Sequence, residues 1–178
     1  VNNVATAAAF ADYLATGMPL ISRVVTVTGR GVKQPKNLLV RLGTPIQKLL
    51  EACGGFAEEP GKVIVGGPMT GPAVYHLDFP VVKGTSGILV QSRAEVAGGE
   101  SMACIRCGRC VKVCPYSLLP NFLEEFAEQG NLDQAEAYGI MDCRECGCCT
   151  FVCPSRRPLM QQIRNAKGKI LARRRKSG

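Results

Sequence analysis

Apolar and β-branched residues in the first half of the chain predict one helix followed by a series of short strands. The alanine-rich segment 4–14 favours a helix, and Gly17 and Pro19 follow it in the usual order of helix stop signals. From residue 23, β-branched runs alternate with glycine-containing turns, which predicts strands at 23–29, 38–43, 62–69, 79–82 and 87–91. The last two flank the short polar segment 83–86, so we expect them to form a hairpin.

One short helix is predicted between the second and third strands. Thr44 is a candidate N-cap, and Pro45 suits the first helical position. Behind them comes an apolar stripe that ends at two glycines: Ile46, Leu49, Leu50, Gly54 and Gly55. A mostly antiparallel sheet folded around this helix is the simplest arrangement of these elements.

The second half of the chain has helical periodicity. Segments 120–129 and 132–138 are predicted to form a helical pair, with Asn131 as a cap between them. A C-terminal helix is predicted at 158–172, with four residues facing inward: Leu159, Ile163, Ile170 and Leu171. The segment Ala-Gly-Gly-Glu at 97–100 indicates a linker and a domain boundary.

Length and composition are compatible with one ordinary domain or two small ones. The chain has 178 residues, of which 46% are hydrophobic. No apolar run approaches the roughly 18 to 20 residues that crossing a bilayer needs, so we expect a soluble chain or a peripheral subunit. The chain starts with Val1 and lacks a signal-peptide pattern, which suggests a piece of a longer protein.

Cysteine is the most informative residue type in this sequence. Nine of the ten cysteines lie between Cys104 and Cys153, in two tight groups. Clustered thiols indicate metal binding in a reducing compartment, whereas disulfide scaffolds scatter their cysteines through short secreted domains. The groups are Cys104-x2-Cys107-x2-Cys110-x3-Cys114-Pro115 and Cys143-x2-Cys146-x2-Cys149-x3-Cys153-Pro154.

This spacing is that of bacterial proteins with two 4Fe-4S clusters. Two-residue intervals let three successive thiolates reach three corners of a cubane, and the fourth cysteine lies where proline ends the local turn. In two-cluster proteins that fourth cysteine binds the other cluster. We therefore predict one cluster bound by Cys104, Cys107, Cys110 and Cys153, and another bound by Cys143, Cys146, Cys149 and Cys114.

Zinc is the alternative metal, since paired Cys-x2-Cys elements also form zinc ribbons. Two repeats of four cysteines, each ending in proline, fit a zinc pair less well. Cys148 offers a second choice beside Cys149, but only Cys149 keeps both intervals, so Cys148 and Cys53 are interpreted as packed side chains. Gly108 and Gly147 would allow close approach of the backbone to a cluster.

The formal net charge is +8, and two bound clusters with their thiolates would reduce it to roughly +4. Five basic residues near the cysteines could offset cluster charge or be ordinary solvated residues: Arg106, Arg109, Lys112, Arg144 and Arg156. The basic run 173–176 is expected to be solvated. It has no interleaved aromatic residues, so nucleic-acid binding is not expected.

With these features in hand, the chain resembles the C subunits of the bacterial Rnf (Rsx) electron-transport complexes. The resemblance covers nearly the whole chain and is most specific in the second cysteine segment. It is carried by VVTVTGRGVKQPKNLLVRLGTPIQKLLEACGG, VIVGGPMTG, CIRCGRCVKVCPYSLLP, AEAYGIMDCRECGCCTFVCPSRRPL and QQIRNAKGKILARRR.

The resemblance implies an α+β fold with two domains. Residues 22–93 would form a β-grasp domain of the soluble-ligand-binding (SLBB) kind, and 94–100 a linker. Residues 101–178 would form a ferredoxin-like domain with two 4Fe-4S clusters and a helical insert. Residues 1–21 would be the last helix of an upstream flavin- and NADH-binding domain. All eight cluster ligands of the family carry over, and no catalytic residue is expected.

The implied activity is electron relay between an NADH- and flavin-binding module and redox partner subunits, coupled by membrane subunits to sodium or proton movement. FMN and NADH would bind only the upstream domain, so this chain alone should not oxidise NADH. Ferredoxin would be an indirect partner, and the expected location is the cytoplasmic face of the bacterial inner membrane. The rival interpretations are a cobalamin reductase of propanediol-utilisation microcompartments and a structural zinc interaction module.

Overall fold

The chain divides into two compact units, Val1–Ala97 and Gly98–Gly178. A computed structural model describes residues 3–96 and 100–176. Residues 97–99 of the predicted linker lie outside the described residues. Each unit is described by itself, and the domain limits at 93 and 101 stay predictions.

The first unit begins with helix α1, Val4–Thr16, which confirms the predicted N-terminal helix. Asn3 caps it, since its side chain accepts a hydrogen bond from Ala5 N at 2.9 Å. Gly17 ends it in the left-handed conformation, with φ of 71°. No residue of α1 is buried.

A five-stranded sheet forms the body of the first unit. Its spatial order is β2-β1-β5-β3-β4, and β1 pairs with β5 in parallel while the other three pairs are antiparallel. The prediction of a mostly antiparallel sheet is therefore confirmed. The strands are β1 Ser22–Thr28, β2 Lys36–Arg41, β3 Pro60–Val65, β4 Ala73–Val74 and β5 Gly87–Ser92.

Helix α2, Ile46–Ala52, packs on this sheet, but Thr44 does not cap it. Pro45 occupies the N-cap position and makes no side-chain capping bond. The Thr44 hydroxyl instead donates to the carbonyl of Arg41 at 2.8 Å. The predicted cap is wrong because the preceding turn uses that hydroxyl.

The predicted strand at 79–82 and its hairpin are also wrong. The segment runs past the start of α2, where the amides of Ile46 and Gln47 donate to the carbonyls of Phe79 and Leu77 at 3.0 and 3.1 Å. Its carbonyls thus satisfy helix amides that have no partner within the helix. β5 pairs with β1 and β3 instead.

The core of the first unit lies between the sheet and α2. The predicted apolar stripe of α2 is confirmed, since its three residues are buried. Cys53 is fully buried, in keeping with its interpretation as a packed side chain, and this burial raises the pKa of its thiol. The buried cluster includes Val25, Val27, Val32, Val40, Ile46, Leu49, Leu50, Cys53, Val63, Val81, Ile88 and Val90.

The loop after β1 approaches β5 closely at Gly29. Gly29 has φ of 112°, and a Cβ built on it would lie 2.0 Å from the carbonyl oxygen of Val90. The same oxygen accepts a hydrogen bond from Gly31 N at 3.1 Å. Only glycine fits this contact without moving the strand.

The second unit is helical. The helices predicted at 120–129 and 132–138 are confirmed, and the Asn131 side chain caps the second by accepting from Gln134 N at 3.2 Å. The described elements are α3 Arg109–Lys112, α4 Pro120–Glu128, α5 Leu132–Ala137, a 3-10 turn Ile140–Asp142, α6 Cys148–Phe151 and α7 Leu159–Lys176.

Helix α7 confirms the predicted C-terminal helix, but its buried residues differ in part from those predicted. Leu159, Ile163 and Ile170 are buried as predicted, and Ala166 joins them. Leu171 is 43% exposed, so its inward assignment is wrong. The helical period places Ala166, three residues after Ile163, on the core face.

The basic end of α7 is not simply solvated. Arg173 bonds to Asp133 and Glu136, and Arg174 bonds to Glu136. The hydrogen bond from Arg174, with that from Arg173, lowers the pKa of Glu136 despite some desolvation. These pairs with α5 explain why the helix continues beyond the predicted end at residue 172.

No helix in the described ranges combines the length and the apolar character needed to cross a membrane.

Candidate metal centres

The two cysteine groups fold into matching loops. Each loop contains a non-glycine residue in the left-handed region between its first two cysteines, Arg106 with φ of 53° and Glu145 with φ of 54°. Gly108 and Gly147 follow the second cysteines, also with positive φ, and cap the short helices α3 and α6. Alternating right- and left-handed residues turn successive amides toward a common point, an arrangement that suits anions and iron-sulfur centres.

The repeat extends beyond the third cysteine of each group. Ser117 and Arg156, with φ of 52° and 53°, occupy equivalent positions after the two Cys-Pro pairs. Left-handed non-glycine residues cost energy, so their recurrence at matching positions indicates a shared constraint. The sequence repeat is therefore a backbone repeat as well.

The first-repeat cavity lies among the thiols of the first group. It is lined by Cys104, Cys107 and Cys110 together with Cys153 of the second group. Asn121, from α4, reaches this cavity, and its side-chain oxygen lies 4.0 Å from Cys110 Sγ. Three thiols therefore come from one repeat and the fourth from the other.

The second-repeat cavity has the reciprocal composition. It is lined by thiols of the second group and one of the first: Cys143, Cys146, Cys148, Cys149 and Cys114. Glu145 N donates to Cys143 Sγ at 3.4 Å, an example of a loop amide directed at a cysteine sulfur. The two sets of four cysteines that the sequence grouped lie together, and their role as cluster ligands stays a prediction.

These residues fit a polynuclear iron-sulfur centre. A single zinc ion held about 2.3 Å from each sulfur needs four thiols that nearly touch. Here the thiols of each set line a shared cavity, with the crossed cysteine on its wall. All-thiolate donors around a space of this kind suit 4Fe-4S clusters.

Three of the candidate ligands have thiols with raised pKa values in this fold. Burial raises the pKa of Cys149 to about 11, and burial also raises the pKa of the Cys110 and Cys143 thiols. Because iron binds the thiolate, metal loading has to displace these protons.

Cys148 is interpreted from the sequence as a packed side chain, but it lies beside the candidate ligands of the second group. It lines the second-repeat cavity, and its hydrogen bond with Cys146 raises the pKa of the Cys148 thiol. That cavity thus has five cysteines against four in the other. Cys148 is also the residue where the two repeats differ most plainly, since Arg109 holds the equivalent position.

Three of the five basic residues considered from the sequence line the cavities. Arg106 and Arg109 line the first-repeat cavity, and Arg144 lines the second. Cations at these positions are suited to offset the charge of bound clusters.

Two buried or half-buried ion-pair networks beside the cavities were not found from the sequence. Arg157 lines the first-repeat cavity and donates to both carboxylate oxygens of Glu124, with Arg157 Nη2 2.6 Å from Glu124 Oε1. Lys167 and Arg164 bind Glu145 beside the second, at 2.9 and 2.7 Å. Their partners lie 19 to 33 residues apart in sequence, so no local pattern could reveal them.

Comparison with known families supports both halves of the structure. The SLBB domain family matches residues 24–73, and the 4Fe-4S dicluster domain family matches residues 103–156. The first match falls on the five-stranded unit and the second on the cysteine repeats. The fold is thus mixed α+β, with an SLBB sheet followed by a helical dicluster ferredoxin region.

Relatives match over nearly the whole chain. The C subunit of the Na(+)-translocating ferredoxin:NAD(+) oxidoreductase complex of Acetobacterium woodii is 46% identical over 176 residues, 99% of this chain and 40% of the relative. The proton-translocating counterpart of Clostridium ljungdahlii is 46% identical over 168 residues, 94% of this chain and 37% of the relative.

The C subunit of the ion-translocating oxidoreductase complex of Rhodobacter capsulatus is 46% identical over 173 residues, 97% of this chain. The chain spans 33% to 40% of the length of these three relatives. It is a homologue of the C subunits of Rnf-type ion-translocating oxidoreductase complexes, with an SLBB domain and a 4Fe-4S dicluster domain.

Proposed function

We propose that this chain is the electron-relay portion of the C subunit in an Rnf-type NADH:ferredoxin oxidoreductase complex. The observation that carries the proposal is the pair of cavities, each lined by the three evenly spaced cysteines of one repeat and by the fourth cysteine of the other, with Cys148 as an additional thiol at the second. Two of the relatives are subunits of ferredoxin:NAD(+) oxidoreductase complexes, which supports a role in electron transfer.

Eight cysteines are proposed as ligands of two 4Fe-4S clusters. Cys104, Cys107, Cys110 and Cys153 would bind the first, and Cys143, Cys146, Cys149 and Cys114 the second. When bound, such clusters supply reversible one-electron transfer.

The chain's own residues have three tasks in this proposal. The left-handed loops direct amides at the sulfurs, as Glu145 N does at Cys143 Sγ. Arg106 and Arg144 offset negative charge. The shared ligands keep the two centres close, which a relay requires.

The remaining parts of the proposal concern the longer protein and its assembly. Residues 22–93 would be the SLBB domain, 94–100 a linker and 101–178 the ferredoxin-like domain, with 1–21 closing an upstream domain that binds FMN and NADH. Electrons would pass between that domain and redox partner subunits. The assembly would hold this chain peripherally at the cytoplasmic face of the bacterial inner membrane, through membrane partners.

Metal analysis of anaerobically purified protein tests the proposal. We expect about eight iron and about eight inorganic sulfide per chain, as two 4Fe-4S clusters require. Electron paramagnetic resonance during a redox titration should then resolve two interacting one-electron centres. About two zinc ions per chain without sulfide would contradict the proposal and favour a structural zinc module.

A further inference from the structure

A shallow surface depression lies between the two short cluster-loop helices. It is lined by Arg109 and Lys112 of α3, by Phe151 of α6, and by Cys153 and Pro154. We refer to these five residues as the α3–α6 patch.

The described side chains that line the patch include two cations and no carboxylate. Arg109 and Lys112 are exposed, and within the described part of the chain neither forms an ion pair. Two exposed cations on neighbouring turns of one short helix, of which Lys112 does not line the first-repeat cavity, favour a surface that carries carboxylates.

Phe151 gives the patch an apolar centre. Its side chain is 80% exposed, although it belongs to a helix whose Cys149 is buried. Phe151 and Lys112 occupy equivalent positions of the two repeats, so α3 presents a cation where α6 presents an aromatic ring. Exposed aromatic and arginine side chains are typical anchors of protein interfaces.

The patch is continuous with the first-repeat cavity. Arg109, Cys153 and Pro154 line both the depression and the cavity. A protein seated on the patch would therefore be separated from the proposed first cluster by little more than the Cys153 turn. Electron tunnelling weakens steeply with distance, so this face suits intermolecular transfer.

We propose that the α3–α6 patch is the docking surface for an electron-transfer protein with a carboxylate-rich face, which exchanges electrons with the centre bound by Cys153. Each encounter transfers one electron: the donor is oxidised by one electron, the acceptor is reduced by one, and no proton or co-reactant is consumed. The transfer step rests on the proposed function, whereas docking depends only on the patch.

Calorimetric titration of the cluster-loaded chain with a small acidic ferredoxin as probe tests the docking. We expect binding that weakens strongly between about 0.01 M and about 1 M salt, because the screening length falls from about 30 to about 3 Å. Lys112→Glu should weaken binding by about tenfold at low salt, since it places like charges opposite each other. Phe151→Ser should weaken binding at both salt concentrations.

Matched controls separate this surface from general effects. Lys169→Glu makes the same charge change at another exposed position, and Leu171→Ser removes another exposed apolar side chain. Both should bind the probe as the parent does. Basic cytochrome c, as a redox protein of opposite charge, should not bind.

Equal binding by Lys112→Glu and Lys169→Glu would overturn the docking proposal, as would salt-independent binding of the parent or tight binding of cytochrome c. If the Lys112 variant fails to fold, the salt series on the parent still decides the outcome. Absence of iron and sulfide would defeat the proposed function separately. Intact clusters with unaffected binding in the patch variants would defeat only the docking proposal.

Discussion

Glu124 is a charged side chain buried in the second unit, and its only close cation in the described network is Arg157. The Glu124 side chain is 3% exposed and Arg157 is 15% exposed, so the pair is largely shielded from water. Arg157 also lies 3.5 Å from the carbonyl of Met102, before the first cysteine group, while lining the first-repeat cavity. The pair therefore fixes the segment that carries Cys153 against α4.

We predict that Glu124→Ala destabilises the second unit by about 3 kcal/mol, because it leaves the Arg157 guanidinium with a poorer set of partners in a buried position. The measurement is the urea concentration at which anaerobic cluster absorbance is lost. Glu128→Ala is the matched control: Glu128 also binds Arg157 but is 60% exposed, so its removal should cost about 1 kcal/mol or less. If both variants lost the same amount of stability, the burial of Glu124 could not be the reason for its larger predicted effect.

Individual site residues could be predicted from the sequence where their role requires one residue type, such as cysteine for binding iron. The eight cysteines, Gly108 and Gly147 could be found because spacing and glycine are visible in the sequence. Arg106 and Glu145 could not be recognised as left-handed positions, since neither residue type favours that conformation. Their geometry is imposed by the surrounding loop.

At the scale of elements, hydrophobic periodicity predicted the strands and helices that form the two cores. Two errors in the first unit, Thr44 as a cap and 79–82 as a strand, both concern the start of α2. The amides at the start of α2 are satisfied by carbonyls of residues 77 and 79, far along the chain, and not by a local side chain. At this helix, hydrogen bonds from residues distant in sequence take the place of a side-chain cap. A cap can be recognised in the sequence, whereas these distant partners cannot.

We predict that Gly29→Ala weakens the contact between the end of β1 and β5 by more than about 1 kcal/mol, because the new Cβ would meet Val90 O and the backbone would be strained. Native-state hydrogen exchange of β1 and β5 amides measures the effect. Gly67→Ala is the control, since a Cβ there has nothing within 4 Å. Unchanged exchange in the Gly29 variant would show that the loop can move away freely.

At the scale of the whole chain, the sequence predicted an α+β protein with an SLBB sheet and a dicluster region, and both are confirmed. It also predicted which cysteines would lie together, since the repeat and its proline carry that information. The docking patch and the ion pairs could not be predicted. They depend on which side chains of separate helices meet after folding.

We predict that Cys153→Ser impairs the centre formed mainly by Cys104, Cys107 and Cys110, and leaves its sequence neighbour intact. The reason is that Cys153 lines the first-repeat cavity. Electron paramagnetic resonance of the reduced protein, with iron analysis, measures the effect, and Cys114→Ser should give the reciprocal result. Cys148→Ser should retain both signals. An altered second-group signal in the Cys153 variant would remove the crossed assignment.

The fourth cysteine of each repeat lies at the cavity of the other repeat, and this arrangement suggests how a two-repeat domain could evolve. Each repeat places its three evenly spaced cysteines at its own cavity and its fourth at the other cavity, so a half-length polypeptide would lack the crossed thiol of its site. Two copies facing each other across a two-fold axis would complete both. Gene duplication and fusion of a self-associating ancestor would leave this arrangement, and the exchanged cysteines then stand where a homodimer interface once lay.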